Sequence, residues 1–238
     1  MIEAKKITKI YRIPHEKPGT LFETILGKDK RKTFESFSAL QNVSFKTEGG
    51  EMIGLIGKNG SGKTTLLKIL GGIIAPTSGT CFVSGHVAPF LGLGIGFHYE
   101  LSAEENLFLY GAILGMDREE IREKLEAILR FAGVERFKDM KLKHFSSGMT
   151  NRLAFSLMSQ TNFDVLLLDE IFAVGDKDFI PQSLAVLEKY KDSGKTVVIA
   201  SHNTDLIARY CPRTLLLEKG VLKAFGKTEE VVREYNSL

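Results

Sequence analysis

Gly57-Lys58-Asn59-Gly60-Ser61-Gly62-Lys63-Thr64 stands between an apolar run, Met52-Ile53-Gly54-Leu55-Ile56, and Thr65-Leu66-Leu67-Lys68-Ile69-Leu70, whose apolar residues recur at helical spacing. Strand, glycine-rich loop and helix in that order make a phosphate-binding P-loop. Glycines let backbone N–H groups curl around phosphate oxygens without Cβ clashes. The N-terminus of the following helix adds the positive end of its dipole. Candidate phosphate contacts are therefore Gly57, Lys58, Asn59, Gly60, Ser61, Gly62, Lys63, Thr64 and Thr65. Lys63 is the residue to reach the β- and γ-phosphates, and the Thr64 hydroxyl the one to bind Mg²⁺.

On the N-terminal side, residues 2–12 read as an opening strand, and 40–47 and 51–56 as two more, separated by Glu48-Gly49-Gly50. Residues 13–38 hold two prolines, two glycines and the basic run Lys28-Asp29-Lys30-Arg31-Lys32, and read as a surface excursion with one short helix near 21–26. The basic run is a solvated loop or a contact for anionic lipid head groups. On the C-terminal side, short strands are expected at 80–84 and 86–90, then a flexible loop at Gly92-Leu93-Gly94-Ile95-Gly96. Ser102-Ala103-Glu104-Glu105 and Asp117-Arg118-Glu119-Glu120 each fit a capping box, and Ser146 or Ser147 caps a third helix to about Gln160. These helices interrupt an alternating strand–helix pattern that resumes at Val165. Strands at 196–200, 214–217 and 221–224 follow, with helices near 180–192, 204–210 and after Thr228. The fold class is α/β. A P-loop core with a mixed sheet and an antiparallel β-subdomain spans 1–96 and 161–238, and a helical subdomain spans 97–160, all in one domain.

Asp169-Glu170 ends the apolar strand Val165-Leu166-Leu167-Leu168. Beside a P-loop such an aspartate holds Mg²⁺, directly or through water, and an adjacent glutamate polarises an attacking water. His202 follows the strand Thr196-Val197-Val198-Ile199-Ala200 by two residues, at the carboxyl end where open α/β sheets bind ligands, which suits a γ-phosphate contact. Phe145-Ser146-Ser147-Gly148-Met149 begins a helix, with Ser146 lying 23 residues before Asp169. Its hydroxyls and free N–H groups suit a phosphate.

In the order and spacing of these motifs the chain resembles the nucleotide-binding subunit of an ATP-binding cassette transporter over nearly its whole length. Gly57–Thr64 resembles Walker A, Val165–Asp169 with Glu170 Walker B, and Phe145–Met149 the signature, with Ser146, Ser147 and Gly148 as its phosphate contacts. Ala173-Val174-Gly175-Asp176 resembles the D-loop, His202 the switch histidine, and Tyr11 the aromatic that stacks on adenine. The resemblance implies ATP and Mg²⁺, a head-to-tail homodimer with two shared sites, Glu170 assisting the attacking water, and integral-membrane permease partners. A narrower likeness follows from Ser-Ser-Gly-Met in the signature, Phe172-Ala173-Val174-Gly175-Asp176, Gly94-Ile95-Gly96-Phe97 before Glu100-Leu101-Ser102 and Glu105-Asn106, and the long insertion after Tyr11. Together these resemble ATPases that export lipid-linked surface polysaccharides such as O-antigen, capsule or teichoic acid. The alternatives are an exporter of another lipid, drug or peptide, or a non-transport cassette ATPase. The usual Q-loop glutamine would fall near Gly92 and is missing, and a C-terminal glycan-reading domain is not expected after Leu238.

Bulk properties agree with an ordinary globular chain: 238 residues, 43% hydrophobic and 26% charged, with a net charge of +3. Such a balance, without a basic aromatic groove, gives no reason to expect nucleic acid. Residues 1–50 hold ten Lys/Arg against six Asp/Glu, so the positive excess is N-terminal. Two cysteines make no disulfide framework. Residues 87–97 form an uncharged apolar stretch broken by Pro89 and three glycines, too short to span a bilayer. The expected place is the cytoplasmic face of the cell membrane, held there by a permease.

Overall fold

The computed structural model describes residues 1–15, 33–91, 96–169 and 179–238. A three-stranded antiparallel sheet has the order β2-β1-β4, with β1 at Ile2–His15, β2 at Thr33–Thr47 and β4 at Ser78–Val83. A six-stranded sheet has the order β5-β6-β7-β3-β8-β9. Its strands are β3 (Met52–Ile56), β5 (Val87–Phe90), β6 (Val165–Asp169), β7 (Thr196–Ala200), β8 (Arg213–Glu218) and β9 (Val221–Lys227). Neighbours from β5 to β8 are parallel, and β9 closes one edge antiparallel to β8. The helices are α1 (Lys63–Leu70), α2 (Ala103–Ile113), α3 (Arg118–Ala132), α4 (Ser147–Gln160), α5 (Phe179–Asp192), α6 (Thr204–Tyr210) and α7 (Thr228–Asn236).

All residues of β3 and β7 are buried, as parallel strands covered on both faces require. Period-two alternation sends them to two cores. Ile53, Leu55, Val198, Ala200, Leu215 and Leu217 pack with Leu66, Leu67 and Leu70 of α1 and with Ile2, Ile7, Leu40 and Val43 of the antiparallel sheet. Met52, Ile56, Val197, Ile199, Leu166 and Leu168 face the other way, into a core with Leu107, Tyr110, Ile121, Ile128, Leu153 and Phe155 of the helices.

Residues 13–15 and 33–38 are not part of a loop excursion. They extend β1 and β2 into a two-stranded ribbon whose register runs from Ile10↔Ser38 to His15↔Thr33. Pairing of β1 with β4 stops at Thr8↔Ser78, so the far edge of β1 is open there and Pro14 removes no ladder bond from that side. The short helix expected near 21–26, the basic run 28–32 and the glycine-rich 92–95 lie outside the described residues.

The capping box at Ser102 is complete. Ser102 Oγ accepts from the Glu105 amide at 3.2 Å, and the Ser102 amide donates to Glu105 Oε2 at 2.7 Å. At Asp117 only half a box forms. Asp117 Oδ1 accepts from the Glu120 amide, but the Glu120 carboxylate turns to Lys124 at 2.6 Å. An ion pair four residues apart on the same helix face competes with the cap for that carboxylate.

Asn106 ties the segment before α2 together. Fully buried, it accepts from the His98 amide at 2.6 Å and donates to the carbonyls of His98, Leu101 and Ser102. That segment in turn pairs with the one before α4, through Leu142 N to Leu101 O and Lys143 N to Tyr99 O, each 3.0 Å.

Two outcomes follow from these contacts. Asn106→Ala removes the acceptor of the His98 amide and one of two donors to each of the His98, Leu101 and Ser102 carbonyls, and a loss of about 1–3 kcal/mol is expected in urea unfolding. Burial pushes the Cys211 thiol from 9.0 up to about 12. The native thiol stays protonated where the unfolded chain ionises, so its share of stability is complete below the ordinary value of 9.0 and falls as pH rises toward about 12. Cys211→Ala is therefore expected to lose less of its urea midpoint than the parent between about pH 8 and about pH 10.

Candidate nucleotide site

Three neighbouring strands build the site. In register, Leu55 of β3 stands beside Ala200 of β7, and Ala200 beside Asp169 of β6. Parallel strands end on the same side, so the P-loop after β3, Ser201-His202 after β7 and Asp169 at the end of β6 leave the sheet along one edge. The residues just before that edge are apolar in each strand, and polar residues follow at or just beyond it.

The P-loop is shaped by close approaches. Gly57 has φ 153°, and a Cβ there would meet the Leu217 carbonyl oxygen at 2.2 Å and Ser61 Oγ at 2.5 Å. Gly62 has φ 106° and serves as N-cap of α1, and a Cβ on it would lie 2.6 Å from the Ala39 carbonyl oxygen. A glycine cap offers no side chain to the first amides of α1, and the first turn contains no acid. Those N–H groups are left for an anion.

Lys63 is buried, and its Nζ donates to the Gly57 carbonyl at 2.7 Å across the loop. Thr64 Oγ1 donates to Asp169 Oδ2 at 2.6 Å. Ser61 Oγ is buried with no hydrogen-bond partner. An unpartnered hydroxyl inside a loop of amides is what a phosphate oxygen would satisfy. Among the described residues no group of three His, Cys, Asp or Glu could hold a metal ion alone. Thr64 and Asp169 together suit a cation that draws its remaining oxygens from phosphate and water. Lys58, Asn59, Gly60 and His202 are exposed along the edge, and Thr65 is half-buried at the start of α1.

Residues 40–173 match the ABC transporter family. The chain belongs to the ABC transporter family. It is 34% identical to an O-antigen export system ATP-binding protein, RfbB, of Klebsiella pneumoniae, over 99% of this chain and 97% of that one. It is 38% identical to RfbB of Myxococcus xanthus over 90% of this chain and 49% of that one. It is 36% identical to a teichoic acids export ATP-binding protein, TagH, of Lactococcus lactis over 98% of this chain and 50% of that one. The chain thus spans about half the length of the last two relatives. Among solved structures, the dimeric bacterial ABC transporter cassette MJ0796 superposes with a TM-score of 0.74 at 25% identity, covering 96% of this chain and 99% of that one.

The segment Phe145–Met149, expected to be the signature, stands at the start of α4. Ser146 is the N-cap, its Oγ accepting from the Met149 amide at 3.2 Å, while Ser147 and Gly148 form the first turn. The hydroxyl of Ser146 is exposed as well as capping, so it can meet a phosphate from outside. Tyr11 stands on the ribbon of β1, opposite Phe37, 36% exposed and with Lys9 Nζ 5.3 Å from its ring centroid. It is open to a planar ligand there, not a buried strand tyrosine. Glu170, Asp176 and the position near Gly92 lie outside the described residues.

Two residues escaped the sequence reading. Tyr235 of α7 lines one pocket with Gly57, Lys58, Asn59 and His202. Asn106 entered only as part of a likeness, although it holds the segment that leads into α2 and pairs with the one before α4. For Tyr235 the signal available was its spacing of four from Val231, which marks a buried stripe but not what the stripe meets.

Gly57→Ala places a Cβ against a backbone carbonyl that cannot swing away. The expected result is loss of binding in a fluorescent-ATP titration, with about 2 kcal/mol or more of lost stability in urea.

Proposed function

We propose that the chain is the ATP-hydrolysing subunit of an ABC transporter that exports a lipid-linked surface polysaccharide, of the O-antigen or teichoic acid class. The observation that carries the ATPase reading is the shared edge of β3, β7 and β6, which sets the P-loop, His202 and Asp169 side by side. The printed names of the relatives support the export of a surface glycan. No helix among the described residues is long and apolar enough to cross a membrane. In this reading integral-membrane permease subunits provide the passage and hold the chain at the cytoplasmic face.

The P-loop amides, Ser61 and Lys63 grip the phosphates of ATP. Lys63 exchanges its bond to the Gly57 carbonyl for phosphate oxygens, and Tyr11 stacks on the adenine. Thr64 and Asp169 would hold Mg²⁺, which when bound offsets charge on the β- and γ-phosphates. His202 donates to the γ-phosphate, and Glu170 orients the attacking water and draws its proton. Residues 97–160 act as a helical lobe on the core formed by 1–96 and 161–238. Ser146, Ser147 and Gly148 complete the site of a second copy, whose D-loop Asp176 borders the same seam. ATP then holds two copies together and hydrolysis frees them.

Glu170→Gln is expected to lower turnover at least about 100-fold while leaving an ATP-stabilised dimer in size-exclusion chromatography. Ser146→Ala is expected to weaken that dimer. Parental turnover in the first variant would overturn the role of Glu170, and loss of surface glycan on deletion of the gene tests the cargo.

A further inference from the structure

The far end of α7 meets the P-loop. Lys58 Nζ donates to the carbonyl oxygen of Leu238 at 2.9 Å. Tyr235, the penultimate residue of that helix, lines a pocket of about 360 Å³ with Gly57, Lys58, Asn59 and His202. The helix is firmly seated. The buried Thr228 hydroxyl donates to the Cys211 carbonyl at 2.5 Å and takes the Thr214 hydroxyl at 2.8 Å. Val231 is 3% exposed, and Val232 and Tyr235 pack on the same core. Thr228, Val231 and Tyr235 share one helical stripe, so what anchors the first two fixes the ring of the third.

We infer that Tyr235 is a positioning residue of the nucleotide site, acting on the terminal phosphate. Its side chain shares the pocket with the outer turn Gly57-Lys58-Asn59 and with His202. An aromatic ring there takes the place of water on one side of the open pocket, and an imidazole attracts a phosphate more strongly where fewer waters compete. The inference rests on the proposed reading in which His202 meets a γ-phosphate. A diphosphate lacks the group that His202 meets in that reading, so Tyr235 is expected to separate ATP from ADP rather than add equally to both.

The test is titration of the purified chain, with Mg²⁺ present, by ADP and by a non-hydrolysable ATP analogue. Tyr235→Ala is expected to weaken the triphosphate analogue about five- to ten-fold while ADP stays within about two-fold of the parent. Tyr235→Phe, which keeps the ring, is expected to match the parent for both. A purely structural tyrosine would shift both nucleotides together, so equal weakening of the two, or no change in either, overturns the inference. If the parent binds neither nucleotide, the reading beneath falls and Tyr235 with it. A parent that binds both, with an unselective Tyr235→Ala, sinks Tyr235 alone. Should Tyr235→Ala not fold, Tyr235→Leu carries the same comparison.

Discussion

Backbone hydrogen bonds between β6, β7 and β3 govern everything at the nucleotide site. Their register aligns Asp169, Ala200 and Leu55 in one row, and the residues that follow emerge together. A slip of one position would turn every apolar side chain of a strand toward the wrong core, and would move its polar end out of line as well. The two cores on either side of the sheet thus enforce the same register that the chemistry requires. The cost of shifting β7, for example, falls on Val198 and Ala200 in one core and on Val197 and Ile199 in the other. Stability and site geometry are in this respect one property.

Within that frame the P-loop is held by contacts with no room to spare. Gly57 lies against the Leu217 carbonyl of β8, and Gly62 against Ala39 of β2. The loop is therefore braced from both sheets, which leaves its amides in place before any ligand arrives. Such preorganisation removes most of the ordering cost from binding. Lys63 is curled back across the loop onto the Gly57 carbonyl.

The start of α4 is held by a second relay, independent of the sheet. Asn106 secures residues 98–102, and these pair with residues 141–143 ahead of Ser146. An exposed patch of charge, Glu100 with Lys141 and Lys143, lies over the same junction. Exposed pairs of this kind contribute little, so the buried amide is the stronger tie. At the other end of the molecule α7 reaches the P-loop from a position far along the chain, linking the outer turn of the loop to the core beneath β8.

Sequence alone carried the α/β class, the helix start at Ser102 and one at Ser146 or Ser147, and the candidate residues of the P-loop with Asp169 and His202. These are legible because each rests on a local rule: glycine where φ is positive, a hydroxyl at an N-cap, a polar residue where an apolar strand ends. The half-formed box at Asp117 shows the limit of such rules, since Lys124 offered its neighbour Glu120 a better partner. Tertiary structure alone decided the strand order, and with it the meeting of Asp169, His202 and the P-loop. It also decided that residues 10–15 and 33–38 form a paired ribbon, that Asn106 binds four backbone groups, and that Tyr235 walls the pocket. None of these has a local signature, because each depends on which distant backbone comes to lie alongside. That choice is made by the burial of whole faces rather than by any one residue.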